Sequence, residues 1–173
     1  MIKCVIFDFD GVLRNWEYDL FLLERLYGIP LDAFREVAFA PECVGPAIRG
    51  EITDEEWMEN VGQILKKRYP DQDMDAAMEA WSSRIGELVP KVPEIIRKCK
   101  TKLPVALLSN ATSKLNADLK SLGIDDLFDH VINASEIGSI KPEPEIYLRA
   151  LKITGVDSHE AFFTDDRAEN VEA

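Results

Sequence analysis

Residues 2–7 form a short apolar run that stops at Asp8 and Gly11. A run of this length, ended by turn formers, suits a strand buried on both faces of a parallel sheet. Residues 103–108, 131–132 and 161–164 are similar runs. Helical spacing lies between them, over residues 93–100, 111–122 and 144–153. Gly123 is a suitable C-cap for the second helix, and Ile146, Leu148 and Leu151 make the apolar face of the third. Strand and helix in alternation predict an α/β fold around a parallel sheet. Right-handed crossovers then bring the strand C-termini to one edge, where open sheets bind ligands.

Residues 14–87 break that rhythm, with helical patterns and no convincing strand. A helix is expected over 17–27, with Leu20, Leu23 and Leu26 or Tyr27 on one face, ended by Gly28-Ile29-Pro30. A second is expected over 31–39. Thr53-Asp54-Glu55-Glu56 is a capping box ahead of Trp57, Val61, Ile64 and Leu65. A further helix is expected over 73–88, closed off by Pro90 and Pro93. The chain therefore divides into a sheet core, residues 1–13 and 88–173, and an all-helical insert, residues 14–87.

The 173 residues are enough to bury a core without staples. A formal net charge of −12 gives no counterion-release drive toward nucleic acid and repulsion from anionic membranes. Cys4, Cys43 and Cys99 are odd in number and far apart, which suits reduced thiols in a cytoplasmic protein. With only His130 and His159, a histidine-based metal site is disfavoured. The start of the chain is too short and wrongly flanked for a signal segment, and no apolar run reaches membrane-spanning length.

Each apolar run ends in residues suited to chemistry: Asp8 and Asp10, then Ser109 and Asn110, then Lys141, then Asp165 and Asp166. Singly, such residues are commonly turn formers or helix caps. Together on one edge, the carboxylates would repel one another unless a hard cation neutralised them, and Mg²⁺ is the natural choice. Lys141 adds positive charge, and Ser109 and Asn110 near a helix start offer an anion site. Asp8 and Asp10, two apart in an extended segment, face the same side, and Gly11 lets the chain turn.

Asp8-Phe9-Asp10-Gly11-Val12-Leu13, Leu107-Leu108-Ser109-Asn110, Lys141-Pro142 and Phe163-Thr164-Asp165-Asp166 resemble the four motifs of the haloacid dehalogenase-like hydrolases, in order along the whole chain. The stretch 137–147 is similar to members with a helical cap after the first motif, which makes 14–87 that cap. The resemblance implies a three-layer Rossmann-like core. It implies a phosphatase acting on small phosphorylated metabolites, with Asp8 as nucleophile and Asp10 as acid and base. Ser109 and Asn110 would hold the phosphoryl group, and Lys141 would pair with Asp8. Mg²⁺ would lie on Asp8, the carbonyl of Asp10, Asp166 and Asp165, with Asn170 behind them. Arg14 and Arg49 are candidates to touch substrate, although a structural role is the commoner fate of such residues. Trp16, Trp57 and Trp81 suit the interior of the insert.

Alternatives within the fold remain. Dehalogenases of the family resemble Asp-x-Tyr at the first motif, where this chain has Asp10. Lys66 and Lys67 fall in a Lys-Lys-Arg run that reads as a solvated face, against a phosphonate hydrolase. A phosphomutase, or a catalytically silent member, is compatible with the motifs. Relatives usually continue past the fourth motif with a further edge strand, so truncation, or a second subunit over that edge, is an expectation.

Overall fold

The computed structural model describes residues 1–16 and 20–173. In chain order the elements are β1 (Cys4–Phe7), β2 (Arg14–Asn15), α1 (Leu20–Tyr27), α2 (Leu31–Ala38), α3 (Pro41–Ile48), α4 (Asp54–Arg68), α5 (Met74–Ser82) and β3 (Glu87–Leu88). They continue with α6 (Val92–Lys100), β4 (Val105–Ser109), α7 (Leu115–Ser121), β5 (His130–Asn133), α8 (Ala134–Ile137), α9 (Pro144–Thr154), β6 (Ala161–Thr164) and α10 (Ala168–Val171).

The four apolar runs are the strands of one parallel sheet, in the order β5-β4-β1-β6. Phe7 aligns with Leu107 on one side and Thr164 on the other, so the motif-bearing strand ends come level at one edge. Alternation divides the core into two layers. Val5, Phe7, Val105 and Leu107 pack with Ile96, Leu115 and Leu119 on one face. Cys4, Ile6, Ala106 and Leu108 pack with Ile132, Ile146 and Ala150 on the other. Burial on both faces is why these strands read as unbroken apolar runs.

The helical insert has a core of its own, built on Leu23, Phe34, Val37, Trp57, Val61, Leu65 and Met74. The capping box is present: Thr53 accepts from Glu56 N, and the Glu56 side chain accepts from Thr53 N. Trp57, Val61 and Leu65 face inward as expected, while Ile64 is exposed. On α1 Leu23 is buried, Tyr27 packs partly against the same core, and Leu26 is exposed. The first part of the helix expected over 17–27 lies outside the described residues.

Other expectations also differ from the structure. Leu148, expected on the apolar face of α9, is exposed, and Ala150 is buried there with Ile146. The insert contains a helix, α3, at Pro41–Ile48, where Gly45 and Pro46 obscure the pattern. The helix expected over 73–88 ends at Ser82. Gly86, at φ +71°, redirects the chain, and Glu87–Leu88 pairs antiparallel with Arg14–Asn15. The two ends of the insert therefore form a small ladder rather than helix. Finally, the helix expected over 111–122 begins only at Leu115. Residues 111–114 are held as a loop, because Asn133 Nδ2 donates to Thr112 O at 2.8 Å and Thr112 Oγ1 donates to Asp54 at 2.5 Å. No helix among the described residues is long and apolar enough to cross a membrane.

Candidate active site

β1 delivers Asp8 to the C-terminal edge of the sheet. Its N–H donates to Thr164 O at 3.0 Å, so the ladder with β6 continues through it, and its side chain is buried. Gly11 then turns the chain at φ +89°. A Cβ there would lie 2.3 Å from Asp166 Oδ2, so any other residue would displace that side chain, at a backbone angle that favours glycine. Ser109 ends β4, buried at the same edge.

Lys141 reaches this edge from the segment after α8. Asn110 clamps its backbone from both sides: Lys141 N donates to Asn110 Oδ1 at 2.8 Å, and Asn110 Nδ2 donates to Lys141 O at 2.9 Å. The ammonium sits between Asp8 Oδ1, at 2.6 Å, and Asp165 Oδ2, at 2.5 Å. The other oxygen of Asp165 accepts from Arg167 N and from Asn170 Nδ2, both at 2.9 Å. Asp166 is exposed beside them. Carboxylate oxygens of Asp8, Asp165 and Asp166 all lie within 4.8 Å of one another.

Two carboxylates, Asp8 and Asp165, thus share one ammonium, and Asp166 stands beside them. Burial pushes the Asp8 carboxyl up to about 6, against the downward pull of Lys141, and Asp165 adds to the rise. Burial also pushes Asp165 upward, but Lys141, the Arg167 N–H and Asn170 together outweigh it and hold that carboxyl below its ordinary value. Burial and the same two carboxylates drive the Tyr147 hydroxyl up to about 12. This is a negative field on hard oxygen donors, the environment that suits Mg²⁺ or a similar hard cation.

Asp10 stands apart from that cluster. Its oxygens accept from Arg14 Nε at 2.7 Å, Arg14 Nη2 at 3.0 Å and Trp16 Nε1 at 2.8 Å. Arg14 is buried, and also donates to Asp118 Oδ2 at 2.5 Å and to Ile85 O at 3.4 Å. Burial works against the charge on Arg14, but Asp10 and Asp118 more than offset it and raise its pKa. The guanidinium carbon lies over both neighbouring rings, 4.1 Å from the Phe9 centroid and 4.3 Å from that of Trp16.

Arg49 is placed elsewhere. It pairs with Glu143, two residues past Lys141, which also accepts from Ser139 Oγ and Ile140 N. These bonds, Arg49 first, hold the Glu143 carboxyl down at about 2. The sequence offered no role for Glu143 or Asp118. Their pairings with Arg49 and Arg14 span 94 and 104 residues of chain, a relationship that spacing does not encode.

A cleft of about 250 Å³ lies between the insert and the sheet edge, with Asp10, Arg14 and Asn110 among its walls. Of the residues singled out from sequence, Asp8, Lys141, Asp165, Asp166 and Asn170 come together at one point. Asp10 and Arg14 line the cleft instead, and Arg49 is engaged with Glu143.

A family model for haloacid dehalogenase-like hydrolases matches residues 2–173. The chain belongs to that family. Among its relatives is Protein SUPPRESSOR OF QUENCHING 1, chloroplastic, of Arabidopsis thaliana, 31% identical over 99% of this chain but only 17% of that protein. The phosphorylated carbohydrates phosphatase of Thermotoga maritima is 28% identical over 99% of this chain and 80% of its own length. A family enzyme of Bacteroides thetaiotaomicron, solved as a magnesium complex, superposes with a TM-score of 0.78 at 24% identity, covering 99% of this chain and 87% of that one. The haloacid dehalogenase-like core thus accounts for the parallel sheet and for the order of the motifs along it.

Proposed function

We propose that this chain hydrolyses small phosphate monoesters with Mg²⁺, through a phosphoryl group carried on Asp8. The observation that carries the reading is the cluster of Asp8, Asp165 and Asp166 oxygens within 4.8 Å, braced by Lys141. Its donors are all hard oxygens, and exposed Asp166 is free to reach an ion while Asp165 is held by Lys141, Arg167 N–H and Asn170. Asp8, Asp166 and the carbonyl of Asp10 would hold Mg²⁺, with Asp165 direct or through water. When bound, the ion supplies charge neutralisation for the phosphoryl oxygens.

The protein residues do the rest. Lys141 keeps Asp8 ionised and oriented. An Asp8 oxygen attacks phosphorus as the ester P–O bond breaks, and the departing oxygen takes a proton from Asp10. Water then attacks the same phosphorus, its proton passes to Asp10, and the bond to Asp8 breaks to release inorganic phosphate. Ser109 and backbone N–H groups at the strand ends hold the phosphoryl oxygens. In the arrangement seen here Asp10 is occupied by Arg14 and Trp16, so serving as the acid requires that pairing to loosen.

Phosphate release from a panel of small esters, with Mg²⁺ and with chelator, tests this. Turnover should need the metal and vanish in Asp8→Asn, whose fold should be retained. Chelator-insensitive turnover, or halide release from a 2-haloacid, would overturn it.

A further inference from the structure

The cleft over the site is walled mainly by apolar side chains. Trp16, Phe39, Val44, Trp57, Met58 and Trp81 line it, from the stretch after β2, the end of α2 and helices α3, α4 and α5. The polar groups that share the cleft are largely engaged with one another. Asp10 is taken by Arg14 and Trp16, and Asp118 by Arg14 and Lys114. Asp54 is taken by Thr112, and both amide atoms of Asn110 by the Lys141 backbone. Lys114 also donates to Arg84 O. Among the described residues, Ser82 and Arg35 are the lining polar side chains left without a hydrogen bond or ion pair.

This arrangement discriminates between leaving groups. A polyol brings several hydroxyls, each of which must give up water and find a partner. The cleft offers few. A ring needs no such partners, and gains instead from contact with the indoles and with Met58. Size agrees: an apolar cavity of ~150 Å³ takes benzene, and about 250 Å³ takes one ring with a short linker.

Resting on the phosphatase reading, we infer that the preferred substrates are phosphate monoesters of an alcohol bearing a single apolar or aromatic ring, rather than sugar or polyol phosphates.

The test uses esters of matched alcohol reactivity, 2-phenylethyl phosphate against ribitol and glycerol phosphates, so that leaving-group chemistry does not decide the result. Calorimetric binding to Asp8→Asn with Mg²⁺ reads affinity without turnover. The ring ester should bind at least about tenfold more tightly than either polyol ester. Phe39 is exposed at the wall of the cleft, so Phe39→Asn should fold normally. It should weaken the ring ester severalfold and leave the polyol esters unchanged. Equal or tighter polyol binding, no binding of the ring ester, or an equal effect of Phe39→Asn on all three overturns the inference. Failure of the phosphatase reading shows separately, as wild-type protein that binds the ring ester but releases no phosphate from any ester.

Discussion

Arg49, on the turn between α3 and α4, grips Glu143 with both arms of its guanidinium, Nη2 to Oε1 at 2.5 Å and Nη1 to Oε2 at 3.2 Å. Glu143 in turn holds Ser139 and Ile140 N, just before Lys141. The helical insert therefore touches the segment that positions the lysine. Gly50 makes the approach feasible: at φ +72° it lies against Ser135 O, which an added Cβ would meet at 1.9 Å.

This pair has a pH signature. Glu143 is held at about 2, below the ordinary glutamate value of ~4.3. A depressed carboxyl stabilises the fold fully above its unfolded pKa, and that contribution is lost as pH falls toward the folded value. Arg49→Gln should therefore lower the melting temperature most at pH 5–7, with the gap to wild type narrowing below about pH 4 and closing only near pH 2. Both side chains are part-exposed, so salt should also narrow the gap. Melting curves across pH check this, and a gap that stays constant from pH 7 to pH 3 would remove the pair from the account.

Arg14 has a different standing, because it and Asp118 are both buried. Removing one member of a buried pair leaves the other uncompensated. Arg14→Ala should cost about 3 kcal/mol, read by urea unfolding at neutral pH. Adding Asp118→Asn should recover part of that loss. A single variant within about 1 kcal/mol of wild type would contradict the bracing role.

Gly11→Ala tests the approach of the two acidic loops. The new methyl would need the space of Asp166 Oδ2, at a φ of +89° that alanine resists. Displacing Asp166 should weaken Mg²⁺ binding and lower turnover about 100-fold, the scale expected for an ångström-size misplacement. A Mg²⁺ titration of the folded variant checks it, and wild-type affinity would show that Asp166 is not a ligand.

Thr53→Ala probes the start of α4. Losing the capping box should cost about 1 kcal/mol without altering the metal site. Thermal unfolding and Mg²⁺ affinity, measured side by side, separate the two effects.

The parallel sheet was legible because its strands are buried on both faces and therefore unbroken in sequence; 161–164 coincides with β6. The acidic cluster was legible for a related reason, since strand ends that share an edge put Asp8 and Asp165–Asp166 together whatever lies between. The Thr53 box was readable because its bonds span three residues. What escaped was non-local. The Arg14 and Asn15 strand exists only through Leu88 and Glu87, and two residues carry no periodicity. Helix α3 was hidden by Gly45 and Pro46, whose propensities tertiary packing overrides. Arg49 looked free to meet substrate because Glu143 is 94 residues away along the chain.

The ladder of β2 and β3 has one more implication. The chain leaves the sheet core at Leu13 and returns at Val89, and Val89 N donates to Leu13 O at 2.9 Å. Departure and return are therefore neighbours in space. With its two ends fastened to each other, the insert's length and packing do not set the strand register beneath, because the sheet meets it as a single closed loop.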